Sequence, residues 1–229
     1  MKIHFVLVEP KVPENIGASA RAIKTMGFDS LILVNPSNQD EGKTRWVAHG
    51  SGEILDKAVV CDSLDEAVAD SDFIVATTAK FRSVKHDYIP SDKLPDFIGG
   101  KVASINDLSM VFGREESGLT NREMKLCDIT SRIAMAKSYP SLNLSQAVMI
   151  YAYELSRFAL YKHDPESTVR EENSIKVLKL QIKKLLLKTG LDQDDNRFGR
   201  IMERISFVGN DDINLLHSLC NLISDRFED

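Results

Sequence analysis

Apolar runs too short for helices recur along the first 135 positions, with helix-patterned stretches between them. The runs are IHFVLV (3–8), LILV (31–34), AVV (58–60), FIVAT (73–77), MVF (110–112) and RIAM (132–135). Apolar residues at helical spacing fall between several of them, over 15–26, 63–70 and 120–127. A chain that returns to one sheet after each helix is restricted to right-handed β–α–β crossovers and a mainly parallel sheet. The expected fold class is therefore α/β. Leu144, Val148, Tyr151, Leu155 and Ala159 then mark one face of a long helix predicted over 143–161.

Residues 162–170 (KHDPESTVR) are polar, carry Pro165 and break this pattern, which reads as a linker. Beyond it, Ile175, Leu178, Ile182 and Leu185 form one helical stripe and Ile213, Leu216, Cys220 and Ile223 another. The expected organisation is an α/β domain over 1–161 and a small all-helical domain over 171–229. A chain of 229 residues can bury both.

No apolar run reaches the roughly 18 residues of a membrane span, and MKIHFVLVEP reads as a strand and not a signal peptide. Cys61, Cys127 and Cys220 are far apart and odd in number, so buried reduced thiols in a cytoplasmic protein are expected. The net charge of −5 gives no global attraction for nucleic acid; an RNA partner would need local basic patches.

Three segments carry more polar chemistry than a scaffold needs. In VEPKVPENIGASARAIKTMGF (8–28), Pro13 and Asn15 fit a helix start, with Asn15 a candidate N-cap and Gly27 a C-cap glycine. Arg21 lies among small residues near the apolar stripe. A solvated helix Arg and a ligand-facing Arg both remain open on this ground. In VFGREESGLTNREM (111–124), Gly113 allows close backbone approach, Ser117–Gly118 reads as a turn, and Thr120 or Asn121 as the next N-cap. Glu115 and Glu116 fit solvated carboxylates better than an acid–base pair. In SYPSLNLSQAVMIYAYEL (138–155), Ser141 or Asn143 can cap the long helix or hold a polar ligand. There is no G-x-G-x-x-G after the first strand, no P-loop motif and no G-x-S-x-G elbow. His4, His49, His86, His163 and His217 lack metal-ligand spacing.

Taken in order, these segments resemble the three motifs of the SpoU branch of the SPOUT RNA 2′-O-methyltransferases. Asn15, Gly17, Arg21 and Gly27 match the first motif; Phe112, Gly113, Glu115, Gly118 and Leu119 the second; Ser141, Leu142, Asn143, Ser145, Ala147 and Val148 the third. Glu14 departs from the pattern, standing where many relatives have Gly before the motif Asn. Within the family the likeness is greatest to enzymes that methylate the ribose of tRNA nucleotide 32, through GREESGLTNREMKLC and the helical extension.

The resemblance implies a deep trefoil knot in the C-terminal part of the sheet. It implies S-adenosylmethionine (SAM) bound there by Thr77, Thr78, Ala79, Gly113, Ile133, Pro140, Ser141 and Leu142. It assigns activation of the ribose hydroxyl to Arg21, with Asn15, Glu115, Ser141 and Asn143 ordering the loop and the ribose. No metal is implied, because a sulfonium is already an activated leaving group. A homodimer is implied, with the knot and the long helix at the interface. Candidate RNA contacts are Lys11, Lys80, Arg82, Lys85 and Arg114, and the helix face of Lys176, Lys179 and Lys183, for which a solvated face is the equal alternative. The function expected is 2′-O-methylation of cytidine or uridine 32 in tRNA. The alternatives are a sister enzyme acting on another tRNA nucleotide or on rRNA, and an RNA-binding protein without catalysis.

Overall fold

A computed structural model describes residues 1–37, 41–80, 87–137, 141–160 and 174–226. Its centre is a seven-stranded sheet: β1 (Lys2–Val8), β2 (Ser30–Val34), β3 (Val59–Cys61), β4 (Phe73–Thr77), β5 (Tyr88–Pro90), β6 (Asp107–Phe112) and β7 (Ile129–Arg132). The order is β3-β2-β1-β6-β4-β7-β5, and every neighbouring pair is parallel. The α/β reading of the sequence therefore holds.

The strand alternation sorts β1 onto two faces. Phe5 and Leu7 join a cluster with Ile16, Ile23, Phe112, Val148 and Tyr151, while Val6 and Val8 join Val111, Leu64 and Met124. The first face is covered by α1 (Pro13–Thr25), α3 (Gly52–Asp56), α5 (Leu94–Gly99) and α7 (Leu144–Leu155); the second by α4 (Leu64–Ala67) and α6 (Asn121–Leu126). A strand buried on both faces reads as the unbroken apolar run seen in the sequence.

Three strand and helix boundaries differ from the expected ones. β7 occupies Ile129–Arg132 and not 132–135. Its Thr130 and Ser131 disguise it as polar, yet both are fully buried, and Ser131 Oγ donates to the Ile89 carbonyl at 2.9 Å. β5 has three residues, ends in Pro90 and lies at the sheet edge, where proline is tolerated and little pattern survives. The long helix stops at Leu155 and resumes as α8 (Arg157–Leu160). Ser156 intervenes, its hydroxyl donating to the Tyr153 carbonyl at 2.7 Å.

After the expected linker, which lies outside the described residues, come α9 (Ile175–Lys188), α10 (Asn196–Ile205) and α11 (Asn210–Arg226). Their buried Ile175, Leu178, Ile213 and Cys220 belong to the same apolar cluster as Phe5 and Tyr151. The three cysteines are free and buried.

Two motif-one glycines have structural reasons. Gly27 adopts φ 86°, its N–H bonding Lys24 O and that of Phe28 bonding Ile23 O, both at 3.0 Å. This is a Schellman ending that favours Gly. Gly17 faces α2 (Glu41–Ala48), and a Cβ there would stand 2.2 Å from the Thr44 carbonyl oxygen. Gly17→Ala is expected to force α1 from α2 and cost about 1–3 kcal/mol of stability. Urea unfolding measures this; an unchanged midpoint would contradict the contact.

Candidate active site

The three motif segments meet through one buried amide. Asn15 sits in the first turn of α1, after Val12 as the N-cap, so it does not cap the helix as its sequence position suggests. It is 6% exposed. Its Nδ2 donates to Glu115 Oε1 at 3.0 Å, and its Oδ1 accepts from Asn143 Nδ2 at 2.8 Å. Asn143 in turn caps α7: its Oδ1 accepts from the Ser145 N–H at 2.9 Å and the Ser145 hydroxyl at 2.7 Å, and Gln146 closes a capping box. Glu115 also accepts the backbone N–H groups of Lys11 and Val12, each at 3.3 Å. Burial pushes the Glu115 carboxyl up, but the Asn15 amide and these backbone donors outweigh it, leaving it below the ordinary carboxylate range.

The second segment is held by Arg114. It donates to Glu9 through Nε and Nη2, to Glu123 through Nη1 and Nη2, and to the Gly118 carbonyl through Nη1. All five guanidinium N–H groups are thereby used inside the fold. The hydrogen bonds to Glu9 and Glu123 raise the Arg114 pKa, so its charge is permanent. Glu123 closes a capping box with Thr120, the N-cap of α6. The turn between them is tight: Gly118 has φ 68°, and a Cβ on Gly113 would lie 2.3 Å from the Gly118 carbonyl carbon.

Beyond the carboxyl ends of β4, β6 and β7 lies a cleft of about 470 Å3, where open parallel sheets place their ligands. Thr77, Thr78, Ala79, Gly113, Ile133, Ser141 and Leu142 line it, together with Glu115. Pro140 lies outside the described residues. Lys80, expected as an RNA contact, also lines the cleft, as do Met135 and the apolar Phe112, Leu144, Ala147 and Tyr151, none of them among the SAM contacts that the resemblance implies. Leu144 and Ala147 lie within the third motif, on inward positions of α7 that helical spacing alone could have supplied. Tyr151 donates its hydroxyl to Ser131 Oγ at 3.1 Å; burial pushes this hydroxyl up, so it stays protonated.

Arg21 is exposed and does not line this cleft. It lies on the outward strip of α1 with Glu14, Ala18 and Thr25. Among the described residues its guanidinium makes no hydrogen bond or ion pair. The structure thus joins Asn15, Glu115 and Asn143, sets Ser141 on the cleft wall, and leaves Arg21 apart.

Of the basic residues, Lys11 makes only an exposed 3.7 Å pair with Glu116. Arg82 and Lys85 lie outside the described residues. Lys176 donates to Ala69 O at 3.0 Å. Lys179 meets both Asp128 oxygens and the Asp72 carbonyl, each at 2.8 Å. With three N–H groups and three acceptors, Lys179, like Arg114, has no donor left for a phosphate. Lys183 has no partner among the described residues.

A parallel sheet with a cleft over its strand ends, walled by the second and third motif segments and joined to the first through Asn15, has the layout of a methylase of the SpoU class. The profile of the SpoU rRNA methylase family matches residues 2–153, and the chain belongs to that family. Residues 172–227 match the C-terminal domain of the tRNA/rRNA methyltransferase LasT. The chain is 39% identical over 219 residues to LasT of Escherichia coli K12, described as an uncharacterized tRNA/rRNA methyltransferase, with 96% of each chain covered. It is 35% identical over 170 residues to the tRNA (cytidine/uridine-2′-O-)-methyltransferase TrmJ of Yersinia pestis, spanning 74% of this chain and 66% of TrmJ. The crystal structure of TrmJ from Z. mobilis ZM4 superposes with a TM-score of 0.68 at 25% identity, covering 98% of this chain and 100% of that one. The SpoU methyltransferase AviRb of Streptomyces viridochromogenes, solved with AdoMet, superposes with a TM-score of 0.54 at 25% identity over 70% of this chain and 61% of AviRb.

The depressed Glu115 carboxyl fixes a pH dependence. A carboxylate whose folded pKa lies below its unfolded value stabilises the fold fully above the unfolded pKa, near 4.5, and loses that contribution as pH falls through the folded pKa. Below pH 4.5 the wild type is therefore expected to lose stability more steeply than Glu115→Gln, while at pH 7 the variant is the less stable. Parallel slopes in chemical denaturation from pH 7 to pH 3 would contradict this assignment.

Proposed function

We propose that the protein is a SAM-dependent tRNA ribose 2′-O-methyltransferase acting on cytidine or uridine at anticodon-loop position 32. The observation that carries the reading is the Glu115–Asn15–Asn143 chain, which joins all three family motifs beside a cleft that Glu115 lines. The 35% identity to TrmJ supports the tRNA ribose as substrate, and the AdoMet-bound SpoU neighbour supports the cofactor. We assign 1–161 to the methyltransferase domain and 171–229 to a helical region that docks RNA or supports a dimer. The order β6-β4-β7 beside α7 is compatible with the trefoil knot of the family. No described helix is long and apolar enough to cross a membrane, and we assign the protein to the cytoplasm.

The cleft fits SAM. Phe112, Leu144, Ala147 and Tyr151 offer an apolar lining to an adenine, and Thr77, Thr78 and Ser141 offer hydroxyls at its edge. Gly113, Ala79, Ile133 and Leu142 bring backbone and apolar surface to the same cleft. When bound, SAM supplies an electrophilic methyl on a sulfonium. The chain's own task is to present a ribose 2′-hydroxyl, a poor nucleophile near neutral pH. The guanidinium of Arg21 binds the adjacent phosphate and the 2′-oxygen and lowers the pKa of the hydroxyl. Glu115 and Asn143 fix Asn15, and Asn15 fixes the start of the helix that carries Arg21.

Because Arg21 stands off its own cleft, the reaction uses Arg21 of the partner subunit in a homodimer. The exposed Met149 and Tyr153 of α7, a helix that packs against α1, offer that dimer an apolar contact. Lys11, Arg82, Lys176 and Lys183 are the basic side chains assigned to RNA.

The test is transfer of labelled methyl from SAM to tRNA, followed by nucleoside mapping. The expected product is 2′-O-methylcytidine or 2′-O-methyluridine at position 32. Methylation of another ribose would favour a sister activity, and SAM binding without transfer would favour the RNA-binding reading. Arg21→Ala should reduce turnover by about two to four orders of magnitude, in the range of lost transition-state contacts, with SAM affinity nearly unchanged. Arg21→Lys should fail substantially as well, because an ammonium lacks the planar fork. Near-normal turnover in Arg21→Ala, or a fully active monomer in sedimentation at assay concentration, would overturn the assignment.

A further inference from the structure

The C-terminal helices grip the catalytic part of the chain at a place that leads to the cleft. Arg200 Nη1 and Arg204 Nη1 of α10 donate to Asp87 Oδ2 at 2.8 and 3.1 Å. The Asp87 N–H donates back to Glu203 Oε1 at 3.2 Å, and Arg200 braces Glu203 Oε2 at 3.1 Å. Glu203 is buried, with its side chain 3% exposed, so this is no free surface pairing. Burial pushes the Asp87 carboxyl up, yet the two arginines hold it below the ordinary range.

Asp87 directly precedes β5, and β5 needs an outside hold. It is three residues long and pairs with β7 alone. Ser131 Oγ of β7 reaches across to the Ile89 carbonyl of β5 at 2.9 Å, and the same hydroxyl accepts the Tyr151 O–H at 3.1 Å. Tyr151 lines the cleft. A continuous path of contacts therefore runs from α10 through Asp87, β5 and Ser131 to the cleft. A second grip supports it: Lys179 of α9 binds Asp128, which opens β7, the strand that leads on to Ile133 of the cleft.

We infer that Arg200, Glu203 and Arg204 of the C-terminal helices are positioning residues for the SAM cleft, acting through Asp87 and the edge strand β5. The inference rests on the methyltransferase reading. All the SAM contacts that the resemblance implies, Thr77 to Leu142, lie before these helices in the sequence.

The test uses the full chain and calorimetric titration with SAM. Wild-type binding comes first, and its absence would defeat the methyltransferase reading itself. With wild-type binding established, Arg200→Ala/Arg204→Ala is expected to weaken SAM affinity about five- to tenfold, as loss of a partly shielded charged contact allows. Arg200→Lys/Arg204→Lys should restore part of it, and KM for SAM should rise more than kcat falls. Lys184→Ala/Lys188→Ala, two exposed α9 side chains outside these contacts, should leave SAM affinity unchanged. Should the double alanine variant fail to fold, Arg204→Gln alone decides the matter, since that side chain is 58% exposed and not part of the core. A folded Arg204→Gln or double variant with wild-type SAM affinity would overturn the inference and leave the methyltransferase reading standing.

Discussion

The Asn15 side chain bridges residues 100 and 128 positions away along the sequence, and that bridge joins the three motif segments beside the cleft. The carboxamide of Asn15 donates from its nitrogen and accepts at its oxygen. An Asp would lose the hydrogen bond to Glu115 and place two carboxylates together; a Leu would leave Glu115 and the Asn143 amide without their partner. A buried polar group without its partner costs roughly 1–3 kcal/mol. The network therefore tolerates one arrangement of the three segments and penalises the others. Glu115 terminates it as a carboxylate, tying down the backbone of Lys11 and Val12 at the entry to α1, and Asn143 terminates it at the N-cap of α7.

Around this centre the fold supplies rigidity in layers. Arg114 fixes the second segment to Glu9 at the end of β1 and to Glu123 in the cap of α6. Glu9 holds a positive φ of 46°, unusual for a residue other than glycine. That conformation lies where the ion pair over-determines the backbone. Gly17, Gly113 and Gly118 serve close approach and turning, so three of the motif glycines are explained by packing without any ligand. The functional and structural readings of these motifs are thus complementary: packing brings the segments together, and the Asn15 network sets their register.

Much of the architecture could be read in the sequence because burial on both faces leaves an unmistakable trace, as in IHFVLV and FIVAT. The sequence places β7 too late because Thr130 and Ser131 look polar, and the partners of the Ser131 hydroxyl, the Ile89 carbonyl and the Tyr151 hydroxyl, lie far away in sequence. β5 left no trace because an edge strand of three residues has no period. Asn15 illustrates the same limit within the site. Its local context argued for an N-cap, whereas its partners come from segments that no local pattern connects. Arg114 and Lys179 read as candidate phosphate contacts because sequence shows charge, but not the carboxylates that face it in space. The helical stripes of 175–185 and 213–223 were legible, while their burial against the same core as the sheet was not, since a stripe does not say what it packs on.

The claim that carries the account is that Asn15 and Asn143 act as one unit at the cleft. A double-mutant cycle on methyl transfer to tRNA tests it, with Asn15→Ala and with Asn143→Ser, which keeps a capping side chain on α7 while removing the amide that reaches Asn15. If the two residues form one network, the double variant will be nearly as active as the worse single variant, with a coupling of about tenfold or more in kcat/KM, as expected for residues that share a hydrogen bond. If the two losses simply multiply, the residues act independently and the assembly of the site through Asn15 is contradicted.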